Sequence, residues 1–569
     1  MGLELWHHPE FRLPITGLPV PLEPRRADFA LWYLVGRGRV RGSAVHVPRP
    51  VSYEKLARVH SHDYLESLQD ARTLGGIFGV DPSDVPVHEV LRSVRLGCGA
   101  TVAAARRCLV SGGVALNLFG GFHHAAPTHG GGLCALNDIA VAVADLRAHG
   151  FHGQVAVVDL DAHPPDGTAA CFEGQERIWI GSLSGSDWGA LKGVDEVLLS
   201  PGTGDGAYLA ALDALLSRMP ACEMAFVIAG GDVLAGDAFG MLGLTEEGAR
   251  RRDRRVLEAL HSVPSVWLPG GGYQANAWRV LAGSGLVLAG RGRQRIRPGE
   301  DPLRSHYAQV AHSLLPAALS DAESVSLTEE ELNEQLGHGP SRRPRFLGFY
   351  SADGVEYALE RYGFLAQLRR LGYRAFEVHL DELPTGHRVR LFAEHGGEHG
   401  GARHLLVELV AERRVLGGRD TLFINWLALR HPVARFSPGR SPLPGQEVPG
   451  LGLSREVAEL LSRIAKRLGL GGVAFRPGWY HVAYAARHDF RFLDPARQGR
   501  FEALVRDLGK IPLLEATRAI AEGRARLNGR PYTWEADAMV SSERPRVPGD
   551  ADPEVKAERE RARFTLADA

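Results

Sequence analysis

The chain has 569 residues, 44% hydrophobic and 23% charged, with 66 Lys and Arg against 67 Asp and Glu. That length predicts two to four domains at about 150 residues each, with apolar material for large cores without disulfide or metal staples. A net charge of −1 excludes nucleic-acid binding through bulk charge. The five cysteines (Cys98, Cys108, Cys134, Cys171, Cys222) contain no CxxC pair, which argues against a disulfide scaffold or a thiolate zinc site and fits a reducing compartment.

The opening MGLELWHHPEF has neither a basic nor an apolar region of the kind a signal peptide needs. Trp6 breaks the myristoylation pattern. No apolar run approaches ~18 residues, so a membrane span is not expected and cytoplasm is the expected location. From residue 1 to about 310, strand-like runs alternate with helical stretches. VALNLF (114–119), QVAVVDL (154–160), MAFVIAG (224–230) and SVWLPG (265–270) are nearly continuous in apolar residues, as strands of a parallel sheet are when both faces are covered. NDIAVAVADLRAHG and TEEGARRRDRRVLEALH read as the helices between, giving an α/β three-layer parallel-sheet domain.

Residues 311–345 read as a bridge, with a capping-box helix start at Thr328–Glu331 and a Gly/Pro/Arg-rich linker GHGPSRRPR. Residues 346–535 read as a smaller α+β domain. Its strands are FLGFY, FEVHL, VRLFA, LLVELV and TLFINWLAL, and its helix 454–468 carries Val457, Leu460, Leu461, Ile464 and Leu468 on one face. Residues 536–569 read as a charged tail with one helix.

Each of the four apolar runs in the first region leads into a polar or Gly-rich loop: GGFHHAAPTHGGGLCALND, DLDAHPPDGT, GDVLAGDAFG and GGYQAN. Ligands bind at the carboxyl ends of strands in open α/β sheets. If the strand continues, Asp159, Asp161 and His163 project to one side. Carboxylate plus imidazole suits zinc or iron(II) better than calcium or magnesium, and Asp232, just past a buried run, is the third ligand candidate. His123 and His124 can act as base and acid if carboxylates orient them, with Asp159 and Asp166 as candidate partners. Tyr273 follows three glycines and can donate to an oxyanion. Taken singly, DLDAH is also a solvated turn, HH core filler, GGGY an ordinary turn and Asp232 a helix cap. All of them falling at strand ends is what points to a site.

As a set, GGFHHA (120–125), GLCALNDIA (132–140), DLDAHPPDGT (159–168), AGGDVLAGD (229–237), LTEEG (244–248) and GGGY (270–273) resemble the zinc-dependent histone deacetylase family. That family includes acetylpolyamine amidohydrolases and has an arginase-like fold. The resemblance covers about residues 1–310, with weaker echoes in HHPEF and VHSHDYLESL. It implies Asp161, His163 and Asp232 as ligands of Zn2+, with Fe2+ as the other candidate. It implies His123 and His124 as the catalytic pair on Asp159 and Asp166, and Tyr273 as the transition-state tyrosine. Gly132, Leu133, Gly271 and Gly272 would line the substrate, and a structural K+ would sit near Asp159, Asp161, His163, Ser182 and Leu183. The implied reaction is hydrolysis of an acylated amine, with N6-acetyl-lysine in a protein as substrate. An acetylpolyamine amidohydrolase and a non-catalytic acyl-lysine reader are the alternatives; Tyr273 and both histidines argue against the reader.

Four positions depart from the pattern. Leu133 stands where the family carries an aromatic, Pro164 and Pro165 follow His163, and Ser184 replaces a histidine. Asp81, with Asp84 competing, is a rim candidate. In the second region Glu394, His395, Glu398, His399 and His404 form a Gly-rich segment, read as a hairpin loop in preference to a metal site. The order of strands, the loop Gln446–Gly452, a helix and a further strand is similar to GCN5-related N-acetyltransferases, which implies acetyl-CoA at that loop. The loop is one residue too long and Pro449 removes a donor. A recognition or dimerisation domain, with Ser454 as helix cap, is the alternative.

Overall fold

The computed structural model describes residues 2–15, 18–320, 344–396, 401–436, 441–541 and 552–567. The predicted helix start at Thr328–Glu331, most of the linker GHGPSRRPR, and Glu398 and His399 lie outside the described residues. The chain divides into two units, Met1–His306 and Tyr307–Ala569. Among the described residues no helix is long and apolar enough to cross a membrane.

Unit 1 is built on eight strands: β1 (Glu4–Trp6), β2 (Val45–His46), β3 (Val114–Asn117), β4 (Val155–Asp159), β5 (Ile178–Ser184), β6 (Val194–Leu198), β7 (Met224–Ile228) and β8 (Ser265–Leu268). Their order is β2-β1-β3-β8-β7-β4-β5-β6, and every neighbouring pair is parallel. The four apolar runs of the sequence are the four central strands. β4, β7 and β8 are buried at every residue, and each fully buried Val, Ile, Leu or Phe contributes about 1.5–3 kcal/mol.

The outer strands escape sequence reading. β1 and β2 are too short to make a pattern, Gly and Ser interrupt β5, and β6 is only half-buried. Helices join the strands in two packed groups. Val87–Ser111 lies on Asp138–Ala148, while Ala277–Leu288 lies on both Arg26–Gly36 and Glu246–Ala259. The result is a three-layer α/β unit with an all-parallel sheet.

Unit 2 has a mixed sheet. β9 (Tyr373–Leu383), β10 (Gly386–His395), β11 (Arg403–Leu416) and β12 (Arg419–Leu429) form an antiparallel meander. β13 (Val473–Phe475) runs parallel to β12, and Met539–Ser541 and β14 (Phe490–Phe492) complete the sheet. The helix Ser454–Arg467 lies between β12 and β13.

Three sequence expectations change here. FLGFY is not a strand: Leu347 and Gly348 have φ of 55° and 73°, turn geometry that leaves a single bridge between Phe346 and Tyr350. Ser454 does not cap its helix; Leu453 holds the cap position with no side-chain bond. The last region holds a sheet strand (Met539–Ser541), a helix (Pro553–Arg561) and a strand (Phe564–Leu566) paired with Ala525–Leu527.

Candidate active site

The site forms where β3, β4, β7 and β8 end. β4 stops at Asp159, so Asp159, Asp161 and His163 do not converge by strand alternation. Two successive turns do the work instead: Asp161 N donates to Asp159 Oδ1 and His163 N donates to Asp161 Oδ1, both at 3.1 Å. Asp159 is thereby sent to a histidine and its two neighbours to Asp232.

Asp161, His163 and Asp232 offer ligand atoms that all lie within 4.8 Å of one another, and they are the one such group among the described residues. His163 Nδ1 sits 3.0 Å from Asp161 Oδ1 and 3.0 Å from Asp232 Oδ2. Burial opposes charge on His163, but both carboxylates outweigh it and push it up to about 11. Burial and the Asp161 charge push Asp232 up to about 7. Two buried acids this close need a cation between them. Two carboxylates and one imidazole on a 4.8 Å scale fit a zinc-type ion that keeps an open position. Ser182 Oγ is buried without a hydrogen-bond partner, on the β5 residue in register with Asp159.

His123 Nδ1 donates to Asp159 Oδ2 at 2.9 Å, and His124 Nδ1 donates to Asp166 Oδ1 at 2.6 Å. The two rings are 4.1 Å apart. Burial works against charge on His123, but Asp159 and Asp161 overcome it and hold it at about 9. Burial, with the charge of His123, lowers His124. One imidazole is thus held charged and its neighbour neutral.

Tyr273 is fixed through its own amide, which donates to Asp237 Oδ2 at 2.8 Å, and through an edge contact with Phe239. Burial, together with the Asp161 and Asp232 charges, raises its phenol well above the ordinary value, so it stays a donor. Gly132 and Leu133, with φ of 52° and 64°, form the corner of a two-residue turn closed by Cys134 N donating to Gly131 O at 2.8 Å. A Cβ on Gly132 would stand 2.2 Å from the His124 ring, so that position takes only glycine. Gly271 is committed to the protein: its amide donates to Asp161 Oδ2 at 2.5 Å and its carbonyl accepts from Arg26. Gly272 adopts φ of 133° in the same loop. Pro165 is the N-cap of the helix Asp166–Phe172, Ser184 Oγ donates to Glu196, and Asp81 caps the turn at Ser83.

Five residues that the sequence did not single out hold or border this arrangement. Asp138 is fully buried and accepts from Gly121 N, Phe122 N and Thr101 Oγ1, anchoring the loop that carries both histidines. His60 Nδ1 donates to Ala126 O while its Nε2 accepts from Asn137 N. Arg26 donates to the carbonyls of Gly270 and Gly271. Asp237 positions Tyr273. Trp188, 51% exposed, stacks on His124 at 5.1 Å. Asp138 stood inside a helix motif with no sign of its loop contacts, and the other four act across long stretches of chain.

A family model for the histone deacetylase domain matches residues 20–284. Histone deacetylase 2 of Arabidopsis thaliana is 32% identical over 284 residues, 47% of this chain and 73% of that protein. An uncharacterized protein of a Picosynechococcus strain is 30% identical over 302 residues, 48% of this chain and 94% of that one. Histone deacetylase 8 of Xenopus tropicalis is 24% identical, covering 55% and 92%. Among solved structures, an HDAC homolog from Aquifex aeolicus aligns with 23% identity and a TM-score of 0.43, over 52% of this chain and 86% of that one.

Proposed function

The chain belongs to the histone deacetylase family, and from that premise we propose that unit 1 hydrolyses an acetyl or related acyl amide, with N6-acetyl-lysine in proteins as substrate class. The observation that carries the reading is the Asp161–His163–Asp232 group standing beside two carboxylate-held histidines. A divalent ion of the zinc type on those three residues supplies Lewis-acid polarisation of the amide oxygen and a more acidic water. His124, held neutral, accepts the proton of the attacking water. Tyr273, held protonated, donates to the oxygen on which negative charge develops. His123, held charged by Asp159, steadies that charge, and the proton collected by His124 passes to the leaving amine. Asp159 and Asp166 fix the two rings.

A K+ near Asp159, Asp161, His163, Ser182 and Leu183 belongs to the proposal, supported by the unpartnered Ser182 hydroxyl. So does a cytoplasmic location, supported by five unpaired thiols. The deciding experiment is acetate release by the purified, metal-analysed full chain, on acetyl-lysine peptides and on acetylated polyamines side by side. Turnover of peptides sustains the reading. Turnover of polyamines alone moves the substrate to a small cation, and binding without turnover makes unit 1 a reader. For unit 2, acetyl-CoA is a separate proposal. It is supported by the element order alone, the loop Gln446–Gly452 preceding the helix Ser454–Arg467 and then β13. Equilibrium binding of acetyl-CoA to the full chain tests it.

A further inference from the structure

Unit 2 contains a cavity that the deacetylase reading leaves unused. It lies between the helices Ala352–Arg361 and Ser454–Arg467 and one face of the meander, with Val389, Leu391, Val407, Leu409, Leu460 and Leu461 in its wall. Its free space is about 870 Å³ when the open solvent at its mouth is counted. Nearly all of the wall is aliphatic or aromatic carbon, and such a cavity stays dry and favours an apolar guest.

The polar side chains of the lining are Arg463, Arg467 and the hydroxyls of Tyr350 and Tyr362, and they are grouped. The charge of Arg467 acts on both tyrosines, and that of Arg463 on Tyr362. Arg463 is neutralised by Glu459. Among the described residues Arg467 has no carboxylate partner: it donates to Ala311 O at 2.8 Å and Leu314 O at 3.2 Å, helix-end carbonyls that offset its charge only in part. Among the same residues neither tyrosine hydroxyl has a hydrogen-bond partner. A half-buried cation beside two unspent hydroxyls at the edge of a hydrocarbon cavity lacks an anion with an apolar tail.

We propose that unit 2 binds an aliphatic carboxylate, a fatty-acid anion, with its chain in this cavity and its head on Arg467, Tyr350 and Tyr362. The proposal does not depend on the activity of unit 1, because its readout is binding.

Calorimetric titration of the full chain with decanoate and with the uncharged decanol tests it. Expected is one decanoate per chain, with decanol at least about tenfold weaker, as a charge-assisted hydrogen-bonded head implies. Arg467→Gln weakens decanoate about tenfold and leaves decanol unchanged. Leu461→Trp fills the cavity and removes both. Tyr362→Phe, which keeps the ring in place, weakens decanoate several-fold. Circular dichroism and the unfolding midpoint of each variant establish that it is folded; if Leu461→Trp is not, Tyr362→Phe and Arg467→Gln decide. Absence of saturable decanoate binding, equal affinity for decanol, or indifference of decanoate to Arg467→Gln overturns the proposal.

Discussion

Two clusters of histidines occupy the two units, and they differ in what surrounds them. In unit 1, His123, His124 and His163 each have an aspartate oxygen within hydrogen-bonding distance, at 2.9, 2.6 and 3.0 Å. In unit 2, His395, His404 and His431 circle Tyr373, with ring centroids 5.1, 6.4 and 5.3 Å from its own, and its hydroxyl sits 2.9 Å from His431 Nδ1. His395 and His404 flank the Gly-rich segment that the sequence reads as a hairpin loop in preference to a metal site. Imidazoles become a reactive centre where buried carboxylates fix their rings and set their charge. In unit 2 the rings gather around a phenol.

The sharpest way to break that contrast is to remove a carboxylate. Asp161→Ala should lose bound metal and lower acetate release by at least about a thousandfold, since both the metal and the turn that orients His163 go with it. Metal content per chain, measured alongside turnover, carries the comparison. Metal falling to near zero places all of it in unit 1. A persisting equivalent of divalent metal would reveal a second site apart from the Asp161–His163–Asp232 group and weaken the distinction.

Tyr273→Phe tests the other phenol. Tyr373 packs among rings, whereas Tyr273 is held protonated by its burial and the neighbouring acids, with its amide pinned to Asp237. The substitution should keep metal content and fold and lower kcat about a hundred- to a thousandfold, the usual loss for an oxyanion donor. Wild-type turnover in Tyr273→Phe would leave Tyr273 as much a packing residue as Tyr373.

The same contrast explains what could be read along the chain. Continuous apolar runs mark strands buried on both faces, so β3, β4, β7 and β8 stood out, while β1, β2, β5 and β6, at the two sides of the sheet, lacked the pattern. In unit 2 the long strands β9 to β12 were visible, but FLGFY failed because Leu347 and Gly348 turn the chain. The side chains that the structure gathers at the site were visible because their chemistry sits in compact motifs. Arg26, His60, Asp237 and Trp188 were not, because each works through backbone groups or a ring far away. Arg26 reaches across 244 residues to Gly270, a pairing that exists only once the sheet is folded.

His60 sharpens the comparison with a histidine that has no carboxylate at all. Its ring is clamped between a carbonyl acceptor and an amide donor, an arrangement only the neutral form satisfies. Burial lowers it from 6.5 to about 4. The unfolded chain therefore binds this proton more readily than the folded one below pH 6.5, and stability falls as pH drops from 6.5 toward 4, by about 3 kcal/mol in full. Urea midpoints at pH 7 and pH 5 should show unit 1 losing roughly 2 kcal/mol, and His60→Gln should start lower at pH 7 and lose less. An equal pH response in His60→Gln would assign the effect elsewhere.

The smallest effect concerns the ring that unit 1 stacks on His124. Trp188 stacks on His124 at 5.1 Å and lies 6.0 Å from His163, while Leu133 occupies the strained turn beside Gly132. With an aliphatic residue at Leu133, Trp188 is an aromatic surface on His124 in addition to Phe122 and Tyr273, which line the pocket with both histidines, and half of Trp188 remains open to solvent. Trp188→Ala removes a stacked contact worth about 0.5–1.5 kcal/mol, a factor of two to ten. If the ring grips the substrate stem, that factor appears in KM with kcat and metal content unchanged. If it orients His124 instead, kcat falls and KM stays. A kcat/KM profile in which neither changes would make Trp188 to the active site what Tyr373 is to the histidines around it, a packing surface.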